Sequence, residues 1–116
     1  MPHIHVYTSA DLVENVDIPD ILRALVDELA AQETIDAKTI KAYHSLHHTW
    51  AMGDGAPTGF AHCSVSLLTG RPVELRKRIA DAMYARFKVC FESSIASGEI
   101  SPTLEVREMD LETYRR

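Results

Sequence analysis

Hydrophobic and polar positions alternate from the start of the chain. His3, His5 and Tyr7 fall on one side of an extended segment and Ile4, Val6 and Thr8 on the other, a period of two that predicts a strand over residues 3–8. Residues 9–17 are polar and read as a loop. Asp17, Pro19 and Asp20 then mark a helix start: a capping-type residue, an early proline and an acidic first turn. Ile21, Leu22, Leu25, Val26 and Leu29 follow at helical spacing, with Asp20, Arg23, Asp27 and Glu28 mostly on the opposite side, and the pattern fades near residues 32–34. Thr39 to Trp50 is rich in β-branched and aromatic residues and reads as a second strand, long enough to need a bulge or bend. The run Met52-Gly53-Asp54-Gly55-Ala56-Pro57-Thr58-Gly59 is the strongest turn signal in the chain.

A third strand is predicted over residues 60–68, with Cys63, Val65 and Leu67 on one face and His62, Ser64 and Ser66 on the other. Thr69-Gly70-Arg71-Pro72 turns into a second helix running to about Ser97, with an apolar stripe of Leu75, Ile79, Met83, Phe87 and Cys90 and a stop at Gly98. Thr103 to about Asp110 reads as a fourth strand, and the tail from Leu111 to Arg116 carries no clear pattern.

The order is β-α-β-β-α-β, and the halves, about residues 1–55 and 56–116, look alike. Each has a strand beginning at a histidine and then a helix opening at a proline, Pro19 in one and Pro72 in the other. Two β-α-β units predict a single α+β domain, a two-layer sandwich with a four-stranded mixed sheet and two helices on one face. The other face is left open and must be polar or covered by a partner chain.

Composition narrows the function. A chain of 116 residues leaves little room for a deep internal pocket, because a domain this small needs its apolar interior for stability. Twelve basic and seventeen acidic residues give a net charge of −5, which argues against general nucleic-acid binding. No apolar run approaches the ~20 residues of a membrane span, and the N-terminus lacks the features of a secretory signal. Cys63 and Cys90 are expected to be reduced, packed thiols in the cytoplasm.

Six histidines (His3, His5, His44, His47, His48 and His62) invite a metal reading. There is no HExxH run, no cysteine pair at zinc spacing and no carboxylate at a matching offset, so they are read as surface or core-edge residues. Neither cysteine sits in a catalytic context, and there is no nucleophile elbow or phosphate loop. The cations are more informative. Arg71 follows Gly70 and precedes a helix N-terminus, a position that suits a carboxylate. Lys41, on the second strand between Thr39 and Tyr43 in its alternation, is expected on the open sheet face. If Met1 is removed, Pro2 becomes a free secondary amine. Burial and nearby cations would lower the pKa of such an amine and make it a neutral general base near pH 7.

Pro2 opening a strand, followed by a doubled β-α-β, resembles the tautomerase superfamily. Within it the chain is similar to the 5-carboxymethyl-2-hydroxymuconate Δ-isomerase family over nearly its whole length. The markers are Met1-Pro2-His3, the mid-chain Thr49-Trp50-x-Met52-x-Asp54-Gly55, and Ala61-His62 followed by Gly70-Arg71. The resemblance implies a homotrimer whose subunits cover one another's open sheet faces, and a cytoplasmic enzyme of aromatic catabolism without metal or organic cofactor. It further implies that Pro2 shuttles a proton within an unsaturated di- or tricarboxylate, while arginines hold the carboxylates. Arg71 matches one of these. Lys41 stands where the family has another arginine, and Tyr43 where a further basic residue is common; lysine keeps the charge but loses the planar fork. Trp50 and Phe60 are candidates for the pocket wall, the interface or the core. Two alternatives remain beside the isomerase. One is other proline-based chemistry on this fold (a hydratase, dehalogenase or decarboxylase), which for the first two would need a carboxylate converging on Pro2. The other is a non-catalytic trimeric binding protein.

Overall fold

The computed structural model describes residues 1–116, and in it the alternating segments form one sheet. β1 (His3–Ser9) is followed by a 3-10 turn (Val13–Asp17), α1 (Ile18–Ala30), a second 3-10 turn (Ala37–Thr39) and β2 (Lys41–His47). The second half repeats the order with β3 (Ala61–Leu68), α2 (Val73–Cys90), a short α3 (Glu92–Ala96) and β4 (Thr103–Met109). Strand order is β2-β1-β3-β4. β1 and β2 are parallel, β3 and β4 are parallel, and β1 meets β3 antiparallel at the centre. The sheet is therefore mixed, and the helices pack on one face of it, as the pattern predicts.

The core lies between those layers. Ile4 and Val6 of β1 and Cys63, Val65 and Leu67 of β3 are fully buried against Ile21, Leu25 and Leu29 of α1 and Leu75, Ile79, Met83 and Phe87 of α2. The helical residues recur at intervals of three and four, which keeps one stripe on the sheet. Burial thus follows the predicted alternation in both strands. The opposite face carries His3, His5, Tyr7, Tyr43, Ser45 and His62 among others, most of them half-exposed. The His5 and Tyr7 rings stack there, 3.9 Å apart and 18° from parallel.

Three boundaries differ from the sequence reading. β2 is shorter than the predicted 39–50: Thr39 belongs to a 3-10 turn, and pairing ends where Ser9 meets His47, because β1 has no further residue to offer. His48 therefore lies beyond the sheet rather than on it. The second helix does not run unbroken to Ser97. It ends at Cys90, and Phe91 turns into the core before α3 begins. Inside the supposed polar loop, the buried Glu14 carboxylate accepts hydrogen bonds from the Ser94 backbone N–H (3.0 Å) and from the Ser94 hydroxyl, which draws α3 inward. Asp17 does stand at the α1 N-terminus, but its side chain makes no capping hydrogen bond.

The mid-chain turn returns the chain from β2 to β3, and the Trp50 indole N–H donates to the Thr58 carbonyl within it (2.9 Å). Gly59 closes it for a steric reason: a Cβ there would sit 2.7 Å from Ser9 Oγ and 2.9 Å from Asp11 Oδ1. The tail left unassigned in the sequence turns at Asp110, whose carboxylate accepts from the Glu112 N–H, and carries Tyr114 back to hydrogen-bond His3 Nε2 (2.9 Å).

Candidate active site

Sheet register sets the position of the site. Because β1 is antiparallel to β3, the start of β1 lies beside the end of β3, and His3 faces Ser66 across the pair. A cavity of about 180 Å³ opens at that corner. Met1 and Pro2 form one wall, Thr34, Asp36 and Thr39 of the α1–β2 connection another, and Leu68 and Arg71 the third. The geometry thus brings Pro2 and Arg71 to one cavity. Lys41 does not line it. It is exposed on β2 beside His3, although its charge is felt at the Met1 amine.

Pro2 is buried, and its carbonyl accepts the Lys41 backbone N–H (3.0 Å). The Met1 amine donates to the Thr39 carbonyl (3.1 Å). Burial, foremost, holds that amine below its ordinary value of 8.0; Lys41, Arg116 and Arg71 push the same way and Asp36 opposes them.

Arg71 follows Gly70, whose φ of +120° suits glycine, and it is half-buried. Its Nε donates to Thr34 Oγ1 (2.8 Å), one terminal nitrogen to the Thr34 carbonyl (3.1 Å) and the other to the Leu68 carbonyl (3.1 Å). Neither Arg71 nor Lys41 forms an ion pair with a carboxylate, so both charges are available to an anion. Thr34 itself has φ +71°, a backbone that a β-branched residue rarely adopts.

Sequence reasoning missed Thr34, Asp36 and Thr39. They come from a segment with no motif, and only the positions of Asp36 and Thr39 just before β2 hinted at proximity to the strand ends. Trp50 and Phe60 do not line this cavity. Phe60 borders a separate open groove of about 420 Å³ on the bare sheet face, together with Tyr7, His47, His62, Glu105 and Arg107.

The histidines are spread over hydrogen bonds of their own. His3 sits between the hydroxyls of Tyr43 (3.1 Å) and Tyr114 (2.9 Å), His5 bonds Ser45 Oγ (2.7 Å), His44 bonds Thr8 Oγ1 (2.7 Å) and His62 bonds Thr103 Oγ1 (2.7 Å). Burial lowers the pKa of His3, His5 and His44. No three His, Cys, Asp or Glu side chains are grouped so as to hold a metal ion. The Cys63 thiol is pushed up to about 12 by burial and Cys90 is raised for the same reason, and neither is paired in a disulfide.

A doubled β-α-β sheet of this order is the tautomerase fold, and solved structures share it across almost the whole chain. A 5-carboxymethyl-2-hydroxymuconate isomerase from Deinococcus radiodurans R1 superposes with a TM-score of 0.90 at 23% identity, over 99% of this chain and 87% of that one. A 5-carboxymethyl-2-hydroxymuconate delta-isomerase gives 0.85 at 16% identity, over 100% and 87%. A fused 4-OT wild-type symmetric trimer gives 0.67 at 16% identity, over 93% and 85%. No curated protein sequence matches the chain significantly. The family model for 5-carboxymethyl-2-hydroxymuconate isomerase matches residues 2–116. The chain belongs to that family and is an isomerase.

Proposed function

We propose that this isomerase moves a proton within an unsaturated di- or tricarboxylate of the 2-hydroxymuconate type, in the catabolism of aromatic compounds, with Pro2 as the general base once Met1 is removed. The observation that carries this reading is the shared cavity of Pro2 and Arg71. The neutral Pro2 nitrogen takes a proton, from the carbon beside the ketone in the 2-oxo form or from the enol hydroxyl in the 2-hydroxymuconate form, and the electron pair of the broken bond leaves a dienolate. The protonated amine then returns the proton at another carbon. Arg71 holds a substrate carboxylate, and Lys41 contributes positive potential from the neighbouring strand. Burial and the cations that depress the Met1 amine would act on the Pro2 amine after processing, keeping it neutral near pH 7. No cofactor enters this chemistry.

The whole chain works as one tautomerase-like domain in this reading, and three copies assemble. Support comes from the bare, half-exposed sheet face and from the symmetric trimer among the structures of this fold. A cytoplasmic setting accords with two unpaired thiols and with no helix long and apolar enough to cross a membrane.

The test is turnover of 2-hydroxymuconate by protein whose N-terminus is verified as Pro2 by intact mass. Pro2→Ala should lose about 10² in kcat, the scale of general-base catalysis. Equal turnover in the variant, or in protein retaining Met1, would overturn the role given to Pro2. Sedimentation should show a trimer.

Asp36 supports a second reading. Its carboxylate belongs to a residue lining the cavity with Pro2 and is not ion-paired, as water activation by a hydratase or dehalogenase requires. Halide release from a chloro-substituted unsaturated acid, abolished by Asp36→Asn, would favour it over the isomerase.

A further inference from the structure

We propose that Thr34 is a positioning residue for Arg71: its left-handed backbone turns both its hydroxyl and its carbonyl onto the guanidinium, and so aims the remaining N–H groups of Arg71 at a substrate carboxylate. The inference rests on the reading of Arg71 as an anion-binding residue. It begins from an outlier. Thr34 lies in the turn after α1, beyond its Ala31 cap, at φ +71°, a left-handed backbone that turns ordinarily give to glycine or asparagine, and a β-branched side chain is the least suited to it. A residue held in such a conformation needs surroundings that over-determine it, and such positions cluster at functional sites.

The surroundings here are Arg71 itself. Thr34 accepts from Nε through Oγ1 (2.8 Å) and from a terminal nitrogen through its carbonyl (3.1 Å), and the Leu68 carbonyl accepts from the other terminal nitrogen (3.1 Å). A guanidinium has five N–H donors. Three are engaged, and the two left over are one on each terminal nitrogen. One donor from each terminal nitrogen is what a carboxylate needs to be held through both of its oxygens. All three acceptors are neutral, so the positive charge is oriented without being cancelled. Thr34, Leu68 and Arg71 also line the same cavity as Pro2. A glycine at position 34 would satisfy the backbone but could offer only the carbonyl; threonine adds the second grip on the guanidinium.

Thr34→Gly, Thr34→Val, Thr34→Ser and Arg71→Ala separate this role from a structural one. Thr34→Gly keeps the carbonyl and frees the backbone, so its melting temperature should equal or exceed that of the parent protein. Its KM for 2-hydroxymuconate should nevertheless rise about fivefold with kcat within about twofold, as loss of one hydrogen bond that orients a charged group implies. Thr34→Val should raise KM similarly, and Thr34→Ser, which retains the hydroxyl, should restore it. Arg71→Ala should raise KM further. If Thr34→Gly and Thr34→Val match the parent in KM while Arg71→Ala does not, the role of Thr34 is wrong and that of Arg71 stands. If Arg71→Ala also leaves KM unchanged, both roles fall.

Discussion

Removing the Glu14 carboxylate should cost stability without touching catalysis. Glu14 is buried in the turn after β1, and Ser94 is fully buried in α3, eighty residues later. The carboxylate receives the Ser94 backbone N–H at 3.0 Å and the Ser94 hydroxyl. Two hydrogen bonds to a charged acceptor, at about 1.5 kcal/mol each, give about 3 kcal/mol for Glu14→Ala. The loss includes the penalty of leaving two buried donors without a partner. Ser94→Ala removes one of the two bonds and should cost about 1.5 kcal/mol. Because the hydroxyl bond is shared, the double variant should lose less than the sum, with a coupling of about 1.5 kcal/mol. Urea unfolding followed by far-UV circular dichroism, at one fixed protein concentration because assembly contributes, would measure all three. Against a typical domain stability of about 5–15 kcal/mol, the Glu14→Ala change is large. Neither residue lines the cavity, so KM measured well below the melting temperature should stay within about twofold. A cost under about 1 kcal/mol for Glu14→Ala, or additivity in the double variant, would refute the idea that this pair fastens α3 to the first half of the chain.

Other expectations follow from the same geometry. Arg71→Ala should raise KM for a 2-hydroxymuconate-type acid about tenfold or more, as loss of a charge-assisted grip on a carboxylate predicts, while Arg71→Lys should recover part of it. Steady-state kinetics on the processed enzyme would read both. Gly59→Ala should lower the urea midpoint by about 1–3 kcal/mol equivalent, since its Cβ would press to 2.7 Å on Ser9 Oγ, which also accepts the Phe60 N–H. His3, His5 and His44 have folded pKa values below 6.5, with burial the main cause, so the unfolded chain binds protons more readily. Their contribution is complete above pH 6.5 and is lost as pH falls through the folded values. Melting temperature should therefore drop as pH falls below about 6.5, and His44→Gln should flatten that drop; an unchanged slope would count against it.

How much of this was visible in the sequence depends on the range of the interaction. Alternation over β1 and β3 named the buried residues Ile4, Val6, Cys63, Val65 and Leu67 because a strand's facing is a local property. The stripe Leu75, Ile79, Met83 and Phe87 was legible for the same reason. Cys90 continues that stripe by spacing yet is only half-buried, because the helix ends there and Phe91 takes the core position. Beyond the break, Ser94 of α3 bonds Glu14, eighty positions away, a contact no local pattern carries. The end of β2 likewise depends on where β1 runs out. In the candidate site, Pro2 and Arg71 could be picked out by residue type and position. Thr34 could not, since its importance lies in a φ angle and in a contact with a residue thirty-seven positions later.

The repeat also explains why one corner of the sheet is open. If the two halves are overlaid with their inward-facing residues matched, Ile4 falls on Cys63 and His3 on His62, so Met1 and Pro2 match Phe60 and Ala61. The end of β3 matches the end of β1, and the α1–β2 connection matches residues 97–102. At the second corner the space is closed. The Gly59 N–H donates to the Glu99 carbonyl (2.9 Å) and ties down the chain just ahead of β3. Ser9 Oγ accepts the Phe60 N–H (2.9 Å), and Leu12, at the position corresponding to Arg71, is buried in the core. The same architecture is thus sealed at one end with a leucine and left open at the other with an arginine. The difference lies in the chain ahead of the strand. Phe60, the counterpart of Met1, follows a loop that Gly59 holds in place, whereas Met1 is cut from Pro2 in the proposed function. Its removal would free the Thr39 carbonyl and expose the Pro2 nitrogen to the cavity that Arg71 already faces. On the reading of Pro2 as the base, a scaffold with two equivalent corners therefore supports one reactive amine, at the corner where Met1 is removed.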